Sequence, residues 1–261
     1  MSWVKIVFGI IVLVCTVKVY ADEEVQDMSD PLAVYTQGGI GYTDKGLNIK
    51  VGQVFDTGNE TTMGMNIVEI KGIFGEAIGW NDRVNDDSID SIRFRHFGVN
   101  LENGRGSQID LTWNVDSKQG TLSYSLIQSL PKISVFNFYP LGGLGIAAGQ
   151  ELVPDSGGNP DADQFRDRYN LHGTYYVIGV YSKIGVSDKV WFNYNPMFLG
   201  TISGSSTYRK NAFNGYNTVL AHELAMSYQL TPRANVRYFA NWTQRLNFKD
   251  GDHRIEYNYQ F

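Results

Sequence analysis

Cysteine is all but missing from this chain, which has one, Cys15, in 261 residues. That cysteine sits inside an N-terminal apolar run, so a product trimmed of the run has none. Disulfides, thiolate nucleophiles and thiolate metal sites are then excluded, and stability has to come from a backbone hydrogen-bond network or a packed core. Long hydrophobic stretches are also missing. The run at 6–15 is the most extended, and it falls short of the roughly 20 residues a helix needs to cross about 30 Å of hydrocarbon. Basic charge is scarce, with 22 Lys and Arg against 27 Asp and Glu, which argues against a nucleic-acid partner. No stretch has a convincing 3.6-residue periodicity, so helices are not expected to organise the chain.

The N-terminus has its own logic. Lys5, the apolar run and Val19-Tyr20-Ala21 ahead of Asp22-Glu23-Glu24 have the layout of a cleavable secretory signal at 1–21. Val14 stands where lipoprotein signals carry a small residue, which argues against lipid attachment at Cys15. Cleavage leaves residues 22–261 as a single domain. It removes Lys5 and Lys18 but no acid, so the net charge moves from −5 to −7.

What is present is aromatic side chains, at 13 % of the chain, and glycine, at 28 residues, with a mean hydropathy of only −0.24. A transmembrane barrel has this profile, because every second residue meets lipid and aromatics gather at the two interfaces. Successive side chains of a strand point to opposite faces, so alternation marks strands with two unlike sides. Ile109, Leu111, Trp113 and Val115 alternate with Gln108, Asp110, Thr112 and Asn114. Val236, Tyr238, Ala240 and Trp242 alternate with Asn235, Arg237, Phe239 and Asn241. At the C-terminus Ile255, Tyr257, Tyr259 and Phe261 form one stripe and Glu256, Asn258 and Gln260 the other.

This last pattern resembles the closing strand of bacterial outer-membrane β-barrels, which ends in Phe or Trp with apolar residues two, four and six places upstream. The resemblance implies an all-β, closed antiparallel barrel in the outer membrane of a Gram-negative envelope, in contact with its lipid and lipopolysaccharide. It implies that the assembly machinery reads Tyr257, Tyr259 and Phe261. Large trimeric porins use about sixteen strands, so a shorter chain is expected as a monomer by analogy.

The alternation predicts about twelve strands, at 32–43, 46–55, 62–72, 89–101, 107–116, 120–129, 133–148, 172–186, 189–200, 216–229, 233–245 and 253–261. Boundary errors of about two to four residues leave ten to fourteen strands open. Even-numbered connections are all short and the long ones follow strands three, seven and nine, as a barrel with both termini at its periplasmic end requires. The phase slips near Ile67 and at His96, where a β-bulge is the expected cause.

Candidate lumen-lining residues follow from the polar faces: Lys50, Glu69, Arg93, Arg95, Asp110 and Asn114 in the first half. Glu223, Arg237, Asn241 and Glu256 complete the set. If the arginines line an open pore, anionic solutes are favoured; if the glutamates pair with them, the interior is held shut. No cofactor is expected. Gly142-Gly143-Leu144-Gly145 lacks the following helix and the Lys-Ser/Thr of a phosphate loop, and reads as glycine in a curved strand. Asp82, Asp86, Asp87 and Asp90 crowd one loop and Asp155, Asp161, Asp163 and Asp167 another without calcium-loop spacing, and no metal is assigned to them.

A hydrolase needs a serine, a histidine in reach and a group to orient it. His222 lies on the opposite strand face from Glu223 and Ser227, and nothing in the spacing of His253 selects a catalytic pairing. The expectation is a non-enzymatic, porin-like channel for small hydrophilic solutes. A closed barrel acting through the loops at 73–88, 149–171 and 201–215 is the rival.

Overall fold

The computed structural model describes residues 25–79, 89–150 and 169–261. The expected signal segment at 1–21 lies outside them, as do the loop aspartates named above except Asp90, whose backbone N–H donates to the Lys71 carbonyl at 2.9 Å.

The strands are β1 Gln37–Thr43, β2 Gly46–Phe55, β3 Thr62–Ile73, β4 Ser91–Asn100, β5 Arg105–Asn114 and β6 Gln119–Gln128. They continue with β7 Phe136–Gln150, β8 Tyr169–Gly185, β9 Val190–Tyr194, β10 Met197–Gly204 and β11 Thr218–Thr231. The last two are β12 Ala234–Thr243 and β13 Asp252–Gln260. Apart from β9 and β10, which do not pair with each other, each pairs antiparallel with its sequence neighbours, and β1 pairs with β13 from Gln37↔Gln260 to Thr43↔Arg254, so one chain closes a complete cylinder with no free sheet edge.

β9 and β10 are two halves of one barrel strand, since β8 and β11 each pair with both. The break falls at Asn195-Pro196. Pro196 has no N–H for the ladder, but its carbonyl accepts from Val180 N at 3.2 Å, and Asn195 N donates to the Glu223 carbonyl at 2.8 Å. Counted this way the cylinder has the twelve strands that the alternation predicts.

The polarity is inverted relative to a soluble protein. In β13, Ile255 and Tyr257 are 58 % and 41 % exposed, whereas Glu256, Asn258 and Gln260 are buried, Gln260 to 1 %. Leu111, Leu126, Leu144 and Ile178 likewise point outward, while Gln108, Ser125, Asn193 and Asn235 are buried inside. Such an exterior is stable in lipid, where each exposed aliphatic side chain is favoured rather than penalised. Tyr194, His222 and Trp242 stack in an outer aromatic cluster near one end, with His222 and Trp242 centroids 5.1 Å apart. Gly142–Gly145 lies within β7, not in a loop. A side chain at Gly145 would collide with the ring of Tyr175, which lies across it.

The turns at 56–61, 101–104, 129–135, 186–189 and 232–233 gather at one end, with Gln26 and the C-terminal Gln260. The strand ends at Ile73, Gln150 and Gly204, from which the longer connections leave, lie at the other end. Helix α1, Gly75–Ile78, lies in the first of these connections and α2, Ser206–Asn211, in the third.

Two expectations need correction. The first strand starts at Gln37 rather than at 32, because residues 25–36 leave the wall and fold into the barrel. No bulge occurs at Ile67 or His96 either: β3 and β4 stay in unbroken register from Thr62↔Asn100 to Lys71↔Ser91. The pattern slips because Met65, Ile67 and Val99 are apolar at inward positions, and there they pack against Val34, with Leu32 and Phe97 beside them. The lumen carries an apolar patch where its own N-terminal segment sits.

Candidate functional site

The barrel interior is a polar chamber of ≈ 320 Å³. It follows from the period-two pattern, since the face of each strand opposite the lipid belt has nowhere else to point. Of the sequence-derived candidates, Lys50, Glu69, Arg93, Arg95, Glu223, Arg237, Asn241 and Glu256 line this chamber. Asp110 stands beside it and is bidentate to Arg93, with Arg93 Nε donating to Oδ1 at 2.9 Å. Asn114 is exposed at the loop end of β5 and is not among the lining residues.

The charges are organised as pairs. Lys50 Nζ meets Glu256 Oε1 at 2.6 Å, and Arg254 faces the other oxygen of Glu256 at 3.2 Å. Arg95 binds Glu69 directly, and Lys71 lies 3.8 Å from it. Glu223 accepts from Asn195 Nδ2 at 2.7 Å. Buried carboxylates and cations lose hydration, so pairing is the condition for keeping them ionised inside.

Arg237 is the exception. Among the described residues no carboxylate lies within ion-pair distance of it. Its guanidinium donates to Ser227 Oγ at 3.0 Å and Asn193 Oδ1 at 2.8 Å. Its charge is therefore held by neutral dipoles. Phe239 lies between two guanidiniums, with Arg237 and Arg254 4.7 Å and 4.3 Å from its ring centre.

Arg254 and the N-terminal segment are the parts that sequence reasoning missed. Arg254 shares strand parity with Glu256 and stands one residue before the stripe that was read. The signal for the segment was the run of apolar residues at inward positions of β3 and β4.

Three of the four histidines are engaged elsewhere. His222 Nδ1 hydrogen-bonds the Tyr194 hydroxyl at 2.9 Å, and His96 Nδ1 bonds Asn66 at 2.8 Å. His253 Nε2 lies 2.9 Å from the Phe248 carbonyl and so carries the proton there, leaving Nδ1 to accept from Tyr238 at 2.7 Å.

No protein-family model and no curated protein matches the chain by sequence. Solved structures match its shape. The NanC porin superposes with a TM-score of 0.52 at 8 % identity, over 88 % of this chain and 99 % of that one. An outer-membrane channel from Pseudomonas putida F1 superposes with a TM-score of 0.54 at 8 % identity, over 92 % and 100 %. At such identity the likeness is one of fold. With its apolar outer belt, polar lining and single-chain closure, the molecule is a closed twelve-stranded β-barrel with the fold of these outer-membrane channels.

Proposed function

We propose that the barrel is a small porin-like channel through which hydrophilic solutes diffuse passively. The observation that carries this reading is a charged, hydrogen-bonded chamber inside a closed cylinder whose outside is apolar: a barrel needed only as an anchor gains nothing from keeping so many ionised groups in its centre. In this reading the mature chain, exported by residues 1–21, sits in lipid and lipopolysaccharide as a monomer. The assembly machinery takes hold of it at Tyr257, Tyr259 and Phe261. In this reading it is non-enzymatic, since His96, His222 and His253 are spent on asparagine, tyrosine and carbonyl partners rather than on a nucleophile.

Planar-bilayer recording of the purified, refolded barrel is the test. Discrete current steps are expected. A bilayer silent at every voltage, for the natural chain and also for one in which Leu32→Asp and Val34→Asp unseat the N-terminal segment, would sink the channel. A closed barrel acting through its surface loops is the second reading, favoured by the ion pairs that neutralise charges along the lumen wall, and it predicts that silence.

A further inference from the structure

Residues 25–36 are built into the interior with more contacts than a trailing terminus needs. The segment is compacted by successive turns: Asp30 N donates to the Asp27 carbonyl at 3.0 Å, Leu32 N to Asp30 Oδ1 at 2.9 Å and Ala33 N to the Asp30 carbonyl at 3.1 Å. Pro31 stiffens the same turn by fixing its own backbone angle.

Its contacts fall on opposite walls. At its start Gln26 N donates to Gln260 Oε1 of β13 at 3.1 Å, Gln260 Nε2 returns a bond to the Gln26 carbonyl at 3.0 Å, and Lys183 Nζ of β8 meets the neighbouring Asp27 Oδ2 at 2.7 Å. Farther along, Val34 and Leu32 fill the apolar patch of β3 and β4, and Leu32 also reaches Ile127, Tyr139 and Leu141 of β6 and β7. The segment therefore crosses the bore from β13 at Gln26 to β6 and β7 at Leu32.

It also divides two spaces. Met28 to Tyr35 form part of the wall of the central chamber. Asp27 and Ser29 also face a second cavity of ≈ 520 Å³, bounded by Lys132, Asn137, Lys183 and the turn at 186–188. Solute leaving the chamber toward the short turns has to pass between the segment and the wall.

We infer that residues 25–36 are a docked strap that closes the turn end of the barrel, and that passage of solute requires its release from the Leu32 and Val34 seat. This rests on the channel reading, because a strap can gate only a barrel that conducts. The seat supports the assignment independently. Met65, Ile67 and Val99 have no reason to be apolar at inward positions of a water-filled lumen unless something apolar covers them.

The test uses the full mature chain. A water-soluble carbodiimide couples an ion-paired carboxylate to an amine without a spacer: an amide forms between Asp27 Cγ and Lys183 Nζ, and the elements of water leave on the reagent as a urea. The expected results are an Asp27–Lys183 cross-linked peptide in the mass spectrum and loss of the open current level after treatment. The Asp27→Asn chain, treated identically, cross-links at its other pairs but keeps its open level. The Leu32→Asp/Val34→Asp chain is expected to dwell in a larger conducting level than the natural one.

Failure of the cross-link to form, or equal conductance in all of these chains before and after treatment, overturns the strap and leaves the channel intact. Formation of the cross-link with silence in every chain overturns the channel and the gate together. Should the double variant fail to fold, the comparison of treated natural and treated Asp27→Asn chains decides by itself.

Discussion

Lys50 and Glu256 stand 206 positions apart in the chain and meet at 2.6 Å inside the barrel. β1 lies between their strands, so the contact reaches over one strand and ties the beginning of the cylinder to its closure. Glu256 is buried and Lys50 nearly so, and among the described residues the ion-pair partner left to Glu256 after loss of Lys50 is Arg254 at 3.2 Å.

Replacing Lys50 by Met is expected to destabilise the barrel by about 2 kcal/mol. This is below the ~3–5 kcal/mol usual for orphaning a buried charge, because Arg254 still faces the carboxylate. Adding Glu256→Leu is expected to recover most of the loss. Urea unfolding in lipid vesicles, followed by tryptophan fluorescence, measures both. Equal midpoints for the natural and single-variant chains would show the pair to be energetically idle.

Arg237 holds the lumen charge that no described carboxylate offsets at ion-pair range. In the conducting barrel Arg237→Gln is expected to shift the anion-to-cation permeability ratio roughly twofold toward cations, since a fixed charge in a narrow bore sets the local ion concentration. The reversal potential in a salt gradient reads this directly. An unchanged potential would place Arg237 away from the path of the ions.

The Asp27 carboxyl is held below the ordinary carboxylate range. Burial pushes it upward, but hydrogen bonds from Lys183 and Ser29 and the charge of Lys183 outweigh that. A depressed folded pKa means the docked segment is favoured at pH values above about 4, the unfolded carboxylate's range, and loses that support as pH falls through the lower folded value. The charged groups around it are Lys183 and Lys132 with Asp188 and, within the segment, Asp30. Hydrogen exchange in residues 25–36, compared in barrels equilibrated at pH 6 and near pH 3, is expected to lose protection in the acid. The contribution is small because Asp27 is largely exposed, as for most surface pairs. Protection that does not change, or rises, in acid would show that the ion pair has no part in docking.

Leu144 and Ile178 face lipid. Substituting either by Arg is expected to cost about 2–4 kcal/mol if it lies near the bilayer midplane. Ser125→Ala, on the inner face of β6, should leave stability nearly unchanged. Folding into vesicles across a urea series separates the two classes. A tolerated Leu144→Arg would contradict a lipid-covered exterior.

Much of the architecture was legible residue by residue. The stripe of Ile255, Tyr257 and Tyr259 against Glu256, Asn258 and Gln260 identified a strand with unlike faces, and the short turns at alternate connections identified which end was which. The lumen positions Lys50, Glu69 and Arg237 followed from the same parity. Legibility failed where an inward position was apolar. Met65, Ile67 and Val99 looked like a slip in phase, and Leu32 to Val34 looked like more of the first strand, because alternation reports that two faces differ and is silent about what covers each.

The sequence by itself determined strand positions, their polar and apolar faces and the grouping of turns, since backbone geometry sends neighbouring side chains to opposite sides whatever lies beyond them. Only the tertiary structure decided that β1 meets β13, that Lys50 finds Glu256 while Arg237 finds no carboxylate at ion-pair range among the described residues, and that residues 25–36 turn inward. Those outcomes depend on closure of the cylinder, which sets distances between residues hundreds of positions apart, and no local pattern encodes such distances.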